Sequence, residues 1–241
     1  MTHPHIVRAF DNELKSLGIG VATMGDYAIA QFSDAISALL SHDVLLAHRV
    51  IEQDRQLDAL RRDLAAVIAT VIARRQPMAA DLEEVLADFR IVEDLERVGD
   101  LAKNIAKRAT AVAKENFPED LVRELKRLAE MASKQLDQAL NAYLKRDAEQ
   151  ALFIRNQDEQ VDLLHSEVFR AIVDRMSQDQ AQVLGLVHLL FCAKNIERIG
   201  DHATHIAEAA YLTATGHRPL LERPRGDMSS TMTAGDSLPK P

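Results

Sequence analysis

The sequence predicts an all-α protein, built as two tandem three-helix bundles related by internal duplication. Three observations carry this prediction. Glu96-Arg97-Val98-Gly99-Asp100 recurs 101 residues later as Glu197-Arg198-Ile199-Gly200-Asp201, and Ile105-Ala106 and Ile206-Ala207 follow at the same distance. Self-similarity at a fixed period marks a repeated structural unit. Apolar residues recur at helical spacing through most of the chain, interrupted at Pro77 and at Asn116-Phe117-Pro118. Finally, 47% of residues are apolar while only 4% are aromatic, with no Trp. That composition suits helix packing by Leu, Ile, Val and Ala better than a β-sandwich core.

In the first helix Phe10, Leu14, Leu17, Val21, Met24, Ala28, Gln31, Ala35 and Ala38 alternate between spacings of four and three. Residues from about 5 to 40 therefore read as one helix with a heptad-like seam, in which Gln31 is the only polar member. Pro4 fits near its start. Gly18, Gly20 and Gly25 mark either close helix approach or a bend. Asp43 is placed to cap a second helix reaching about Arg74, with Val50, Leu57, Leu60, Leu64, Val67 and Val71 on its inner side. Pro77 separates it from a third helix, about Met78 to Lys114.

The second half repeats the plan. A fourth helix is expected from about Pro118 to Lys145. Asp147 with Gln150 resembles a capping box for a fifth, reaching about Met176, and Ser177 with Gln180 does so for a sixth. The Gln-Asp-x-Gln-x-Asp pattern around Asp54 and Asp58 recurs around Asp158 and Asp162 at an offset of 104. Because the later motif repeats at 101, the first half carries three extra residues, most simply between Arg74 and Asp81. The domains read as 1–115, 116–216 and a disordered tail, 217–241, rich in Pro, Ser and Thr.

Each copy of the repeated element sets carboxylates at i and i+4, one turn apart on the same face. On a helical wheel Glu96 and Asp100 point roughly 150° away from Ile91, Leu95, Val98, Ala102, Ile105 and Ala109. Glu197 and Asp201 stand likewise opposite Cys192, Ile196, Ile199, Ala203, Ile206 and Ala210. Such acids can be the solvated face of an amphipathic helix. Yet like charges at this spacing repel by roughly 0.2–0.5 kcal/mol, and a mid-helix glycine costs about 1 kcal/mol relative to alanine. Both unfavourable choices are made twice. A bound cation would reverse the repulsion, and glycine would let a neighbouring helix or ligand come close. With Asp54/Asp58 and Asp158/Asp162 on the preceding helices, each half offers four carboxylates to one or more cations.

Net charge is −8, from 29 basic and 37 acidic residues without a basic block, so a nucleic-acid partner is not expected. The single cysteine, Cys192, lies on an apolar stripe and reads as a buried structural thiol. No secretion signal and no apolar run of membrane-spanning length is evident, which gives a cytoplasmic expectation for a bacterial protein. No nucleophile–base pair, nucleotide-binding glycine loop or Cys/His cluster suggests an enzyme.

The run Gln76-Pro77-Met78-Ala79-Ala80-Asp81-Leu82, the segment from Asp94 to Ala106, and the second element from Glu197 to Ala207 resemble the PhoU family of phosphate-signalling regulators. The likeness spans roughly residues 5–215 and includes Phe10-x-x-Glu13-Leu14 and Met24-Gly25. It implies two three-helix bundles side by side, a homodimer, and a multinuclear metal site on each bundle. The implied ligands are Asp54, Asp58, Glu96 and Asp100, and Asp158, Asp162, Glu197 and Asp201. Iron or zinc is associated with some family members, and all-oxygen ligation also suits magnesium or manganese. The implied partners are the ATPase subunit of the phosphate ABC transporter and the phosphate-sensing histidine kinase, both restrained when phosphate is plentiful. The halves differ: Glu93 is matched by Lys194, and Asn104 by His205, which is either a solvated imidazole or an added ligand near Glu197. Two rivals remain. One is a metal-free helical adaptor; the other, a carboxylate-bridged di-iron enzyme, lacks its Glu-x-x-His motifs.

Overall fold

The computed structural model describes residues 4–219 and Ser229. Most of the expected disordered tail lies outside the described residues. Six long α-helices, α1 (Pro4–Ser41), α2 (Val44–Arg75), α3 (Ala80–Ala111), α4 (Glu119–Lys145), α5 (Ala148–Gln178) and α6 (Val183–Thr215), account for nearly all of them.

Local chemistry sets the ends. The Asp43 carboxylate accepts the Leu46 N–H at 2.9 Å, and the Asp147 carboxylate accepts the Gln150 N–H at the same distance. Both expected N-caps are therefore made. α2, α4 and α6 end on residues in the left-handed region, Gln76, Arg146 and Gly216, whose N–H groups return to the last turn. The third helix begins at Ala80, after Ala79 at φ 51°, two residues later than expected. The expected capping box at Ser177 does not form. Ser177 stays helical and donates to the Asp174 carbonyl at 2.6 Å. Asp179, in extended backbone, accepts the Ala181 N–H at 3.0 Å and opens a 3-10 turn, Gln180–Gln182, that leads into α6. The cap thus falls on a carboxylate at Asp179 and not on the Ser177 hydroxyl, and α5 continues two residues past the expected end.

α3 packs against α1, α2 and α6, and α6 packs against α3, α4 and α5. The helices α1, α3, α4 and α6 thus form the centre, and α2 and α5 flank it on either side. Fully buried Leu17, Met24 and Phe32 of α1 join Ile91, Leu95 and Ile105 of α3 in one half; Leu125, Leu128 and Leu136 of α4 join Ile196, Ile199 and Ile206 of α6 in the other. Cys192 is buried, and burial pushes its thiol up to about 12 against the opposing charge of Arg108. It is the structural thiol its position suggested.

The seam between halves also carries polar pairs. The Tyr143 hydroxyl donates to Asp88 at 2.6 Å, Arg146 meets Glu84, and the Arg108 guanidinium lies 4.3 Å from the centre of the Phe191 ring.

α1 runs unbroken through its three glycines. A Cβ at Gly20 would lie 2.4 Å from Leu64 Cδ2, and one at Gly25 2.6 Å from Leu140 Cδ1, so these two mark close helix approach. A Cβ at Gly18 meets nothing within 4 Å. Gly18→Ala is accordingly expected to raise the unfolding free energy by about 0.5–1 kcal/mol, the helix-propensity gain. Gly20→Ala makes the same gain but must displace Leu64 Cδ2 at an overpacking cost of about 1–3 kcal/mol, for an expected net loss of about 1 kcal/mol. Urea midpoints of the two variants should move in opposite directions, and a common direction would refute this packing account.

Candidate functional site

The repeated acids lie in the α2–α3 and α5–α6 crevices. They were expected to point away from the apolar side, but Glu197 is only 4% exposed and Glu96, Asp100 and Asp201 are half-buried. A wheel assumes one core on one side. α3 and α6 each have neighbours on three sides, which leaves no wide solvated face.

In the first crevice the buried Asp54 and the half-buried Asp100 converge on one ammonium. Lys103 Nζ lies 2.5 Å from Asp54 Oδ2 and 2.5 Å from Asp100 Oδ1. Burial works against the Lys103 charge, but its hydrogen bonds to Asp100 and Asp54 and their negative charges prevail and hold its pKa above the usual lysine range. Asp54 Oδ1 accepts from Gln31 Nε2 at 3.3 Å. Arg61 clamps Glu93 through two bonds of 2.8 and 2.9 Å. Burial and the charge of Asp100 raise the pKa of Glu96, with Arg97 and Arg61 opposing. The fourth acid, Asp58, is exposed.

The second crevice repeats the frame with different chemistry. Asp158, Asp162 and Glu197 are buried. Gln135 Nε2 donates to Asp158 Oδ1 at 3.3 Å and to Thr204 Oγ1 at 2.9 Å, and the Thr204 hydroxyl donates to Asp158 Oδ1 at 2.8 Å. Lys194 donates to Glu197 at 2.9 Å. Thr204 is the counterpart of Lys103, at the 101 offset, so a neutral hydroxyl replaces the ammonium. His165, buried at 1% exposure, stands where the first half has Arg61, at the 104 offset.

The recurring glycine answers to packing. A Cβ on Gly99 would sit 2.2 Å from Leu57 Cδ2 and 3.1 Å from Gln31 Oε1. One on Gly200 would sit 3.2 Å from Val161 Cγ1 and 3.2 Å from Gln135 Oε1. Leu57 and Val161, like Gln31 and Gln135, are 104 apart. In both halves the missing side chain lets α2 or α5 and a buried amide close over the acids. Neither glutamine is legible as a site residue from its own helix; the shared 104 offset with Asp54 and Asp158 is the signal that points to them.

Carboxylates that converge on an ammonium fit a cation by charge and by donor type. In the first crevice Asp54 and Asp100, with Glu96 a turn away, would hold it once Lys103 swings out. Hard oxygen donors suit magnesium or manganese as well as iron or zinc. His205, considered as a possible addition near Glu197, has its Nδ1 3.5 Å from Asp94 Oδ1. His202 Nδ1 lies 2.8 Å from the same oxygen. Asp94 is buried enough to disfavour its charge, yet the two imidazoles outweigh this and hold its carboxyl below the usual range.

The PhoU domain is matched twice, over residues 21–109 and 125–210. A phosphate-specific transport system accessory protein PhoU homolog of Rhizobium meliloti is 47% identical over 232 residues, which cover 96% of this chain and 98% of that one. A homolog of the same name from Caulobacter vibrioides is 38% identical over 226 residues, covering 94% and 98%. The crystal structure of PhoU from Pseudomonas aeruginosa superposes with a TM-score of 0.83 at 31% identity, over 86% of this chain and 100% of that one. That of the phosphate transport system regulatory protein PhoU from Streptococcus pneumoniae gives 0.81 at 25% identity, over 88% and 100%. With both halves matched, and with relatives that align along almost its whole length, the chain belongs to the PhoU family.

Proposed function

We propose that the protein is a negative regulator of phosphate uptake and of the phosphate-starvation response. It acts by contact with the ATPase subunit of the phosphate ABC transporter and with the phosphate-sensing histidine kinase, as a homodimer, in the cytoplasm and at the inner face of the membrane. The observation that carries this reading is the near full-length identity to accessory proteins named for phosphate-specific transport. No helix among the described residues is long and apolar enough to cross a membrane, which agrees with recruitment through partners. No catalytic step is assigned to it.

Each crevice binds metal ions through its four carboxylates: Asp54, Asp58, Glu96 and Asp100 in the first half, Asp158, Asp162, Glu197 and Asp201 in the second. The ions stiffen the acidic side that faces a partner. One observation favours a second reading, a metal-free adaptor: Lys103 already neutralises Asp54 and Asp100.

A complementation experiment separates the readings. In a phosphate-replete deletion strain, the intact gene is expected to restore repression of alkaline phosphatase. A gene with Glu96, Asp100, Glu197 and Asp201 changed to alanine, expressed to the same level, is expected to fail. Repression by both genes would leave the regulator and remove the metal sites from its action. Failure of both would refute the regulatory role.

A further inference from the structure

We propose that Asp94, His202 and His205 form a site for one divalent transition-metal ion, of zinc's coordination preference, at the seam between the bundles. The three residues come from facing helices, Asp94 from α3 and the two histidines from α6. One ligand atom of each lies within 4.8 Å of the other two. His202 and His205 are three residues apart, hence on one helix face. Their ring centroids are 5.7 Å apart with the planes at 83°.

The spacing comes close to what an ion requires, with the ligand atoms of the two histidines no more than 4.8 Å apart. Bonds of about 2.0–2.1 Å in tetrahedral geometry place ligand atoms roughly 3.3 Å apart. Asp94 Oδ1 and His205 Nδ1 are already 3.5 Å apart. The 2.8 Å contact between Asp94 Oδ1 and His202 Nδ1 needs to open by about half an ångström, within the play of one side-chain torsion. Two imidazoles and a carboxylate select zinc, cobalt, nickel or ferrous iron over magnesium and calcium, which prefer all-oxygen shells.

Access and the remaining coordination position are also provided. The His205 side chain is 51% exposed, while those of His202 and Asp94 are 15% and 16% exposed. A cavity of about 410 Å³ adjoins Asp94 and His205 and is bordered by Arg90, Glu208 and Arg218. Glu208 is engaged by Arg155 at 2.8 Å. The two other arginines favour water or a small oxyanion, not a second cation, as the fourth ligand.

The triad is not part of the duplicated frame. At the 101 offset Asp94 corresponds to Asn195, His202 to Leu101 and His205 to Asn104. A second copy of the site therefore cannot form, and the stoichiometry is one ion per chain. The carboxylate crevices, by contrast, come in pairs.

Cobalt titration of the full-length protein, followed by visible absorbance, tests this directly. One equivalent is expected to produce the intense ligand-field bands of four- or five-coordinate cobalt, displaced by equimolar zinc. His205→Asn, at an exposed position, is expected to weaken binding about tenfold or more without changing the melting curve of the metal-free protein. Asp94→Asn is expected to abolish the bands. A variant carrying Glu96→Gln, Asp100→Asn, Glu197→Gln and Asp201→Asn is expected to keep them. A weak six-coordinate spectrum, bands indifferent to His205→Asn, or bands lost in the carboxylate variant would each overturn the proposal.

Discussion

Lys103→Met is expected to lower the unfolding free energy of the metal-free protein by about 2–3 kcal/mol, and divalent cations are expected to restore part of that loss. Removing one partner of a buried charge pair costs about 3–5 kcal/mol because the other charge is left desolvated. Here the loss falls at or below the bottom of that range, since the Lys103 side chain is 22% exposed and that of Asp100 33%, although that of Asp54 is only 8% exposed. Methionine preserves the apolar stem, so the measured loss reports charge. Pairing it with Asp54→Asn, which removes the stranded carboxylate, should recover most of the stability. Urea unfolding in chelator and then in manganese checks both halves of the prediction. If manganese stabilises wild type and variant equally, Lys103 does not compete with a metal ion for the crevice.

Asp88→Asn is expected to stabilise the protein by about 2–3 kcal/mol above pH 6, with the advantage vanishing below about pH 4. Burial raises the Asp88 carboxyl from 3.8 to about 6; the Tyr143 hydrogen bond opposes this, Glu84 adds to it, and Arg146 opposes it. The group holds its proton more tightly folded than unfolded. Its contribution to stability is therefore fully present below about 3.8 and is lost as pH rises through about 6. The shift of about two units is worth roughly 1.4 kcal/mol per unit. An asparagine carbonyl still accepts the Tyr143 hydroxyl but never ionises. The difference between wild-type and variant unfolding energies, followed from about pH 4 to about pH 8, should rise across this window and then level off. A difference independent of pH would show that the folded carboxyl titrates normally.

Much of the architecture was legible because helices declare themselves locally. The Glu-Arg-x-Gly-Asp repeat gave the duplication, and Asp43 and Asp147 gave two helix starts. Ser177 misled because Asp179, two residues on, supplies the cap by accepting the Ala181 N–H, a choice between neighbouring cap residues that spacing does not rank. The offset change from 104 to 101 put three extra residues between Arg74 and Asp81, but the connections 76–79 and 179–182 are equally long, so the difference is taken up by the end of α2 and the start of α3. The acids were legible as a pattern but not as an environment. Glu197 is buried because α6 is enclosed by three neighbours, a property of docking and not of its own periodicity. The Lys103 bridge between Asp54 and Asp100 needs α2 and α3 to meet in one register. Asp94 and His202, 108 residues apart, meet only because the two halves close on each other.

That closure joins like to like: α1 lies on α4, and α3 on α6, so each helix of the seam meets its own counterpart. Like-with-like packing is also what a two-fold axis produces, where one surface faces an identical copy of itself. A free-standing repeat dimerising in this way must be self-complementary, and any acid near the axis would confront the same acid. A single continuous chain lifts that restriction. Asp94 can face His202 while their counterparts are Asn195 and Leu101, and Lys103 can fill one crevice while Thr204 stands in the other. A single chain can therefore carry an asymmetric contact between its repeats, in which two crevices of one pattern hold different charges.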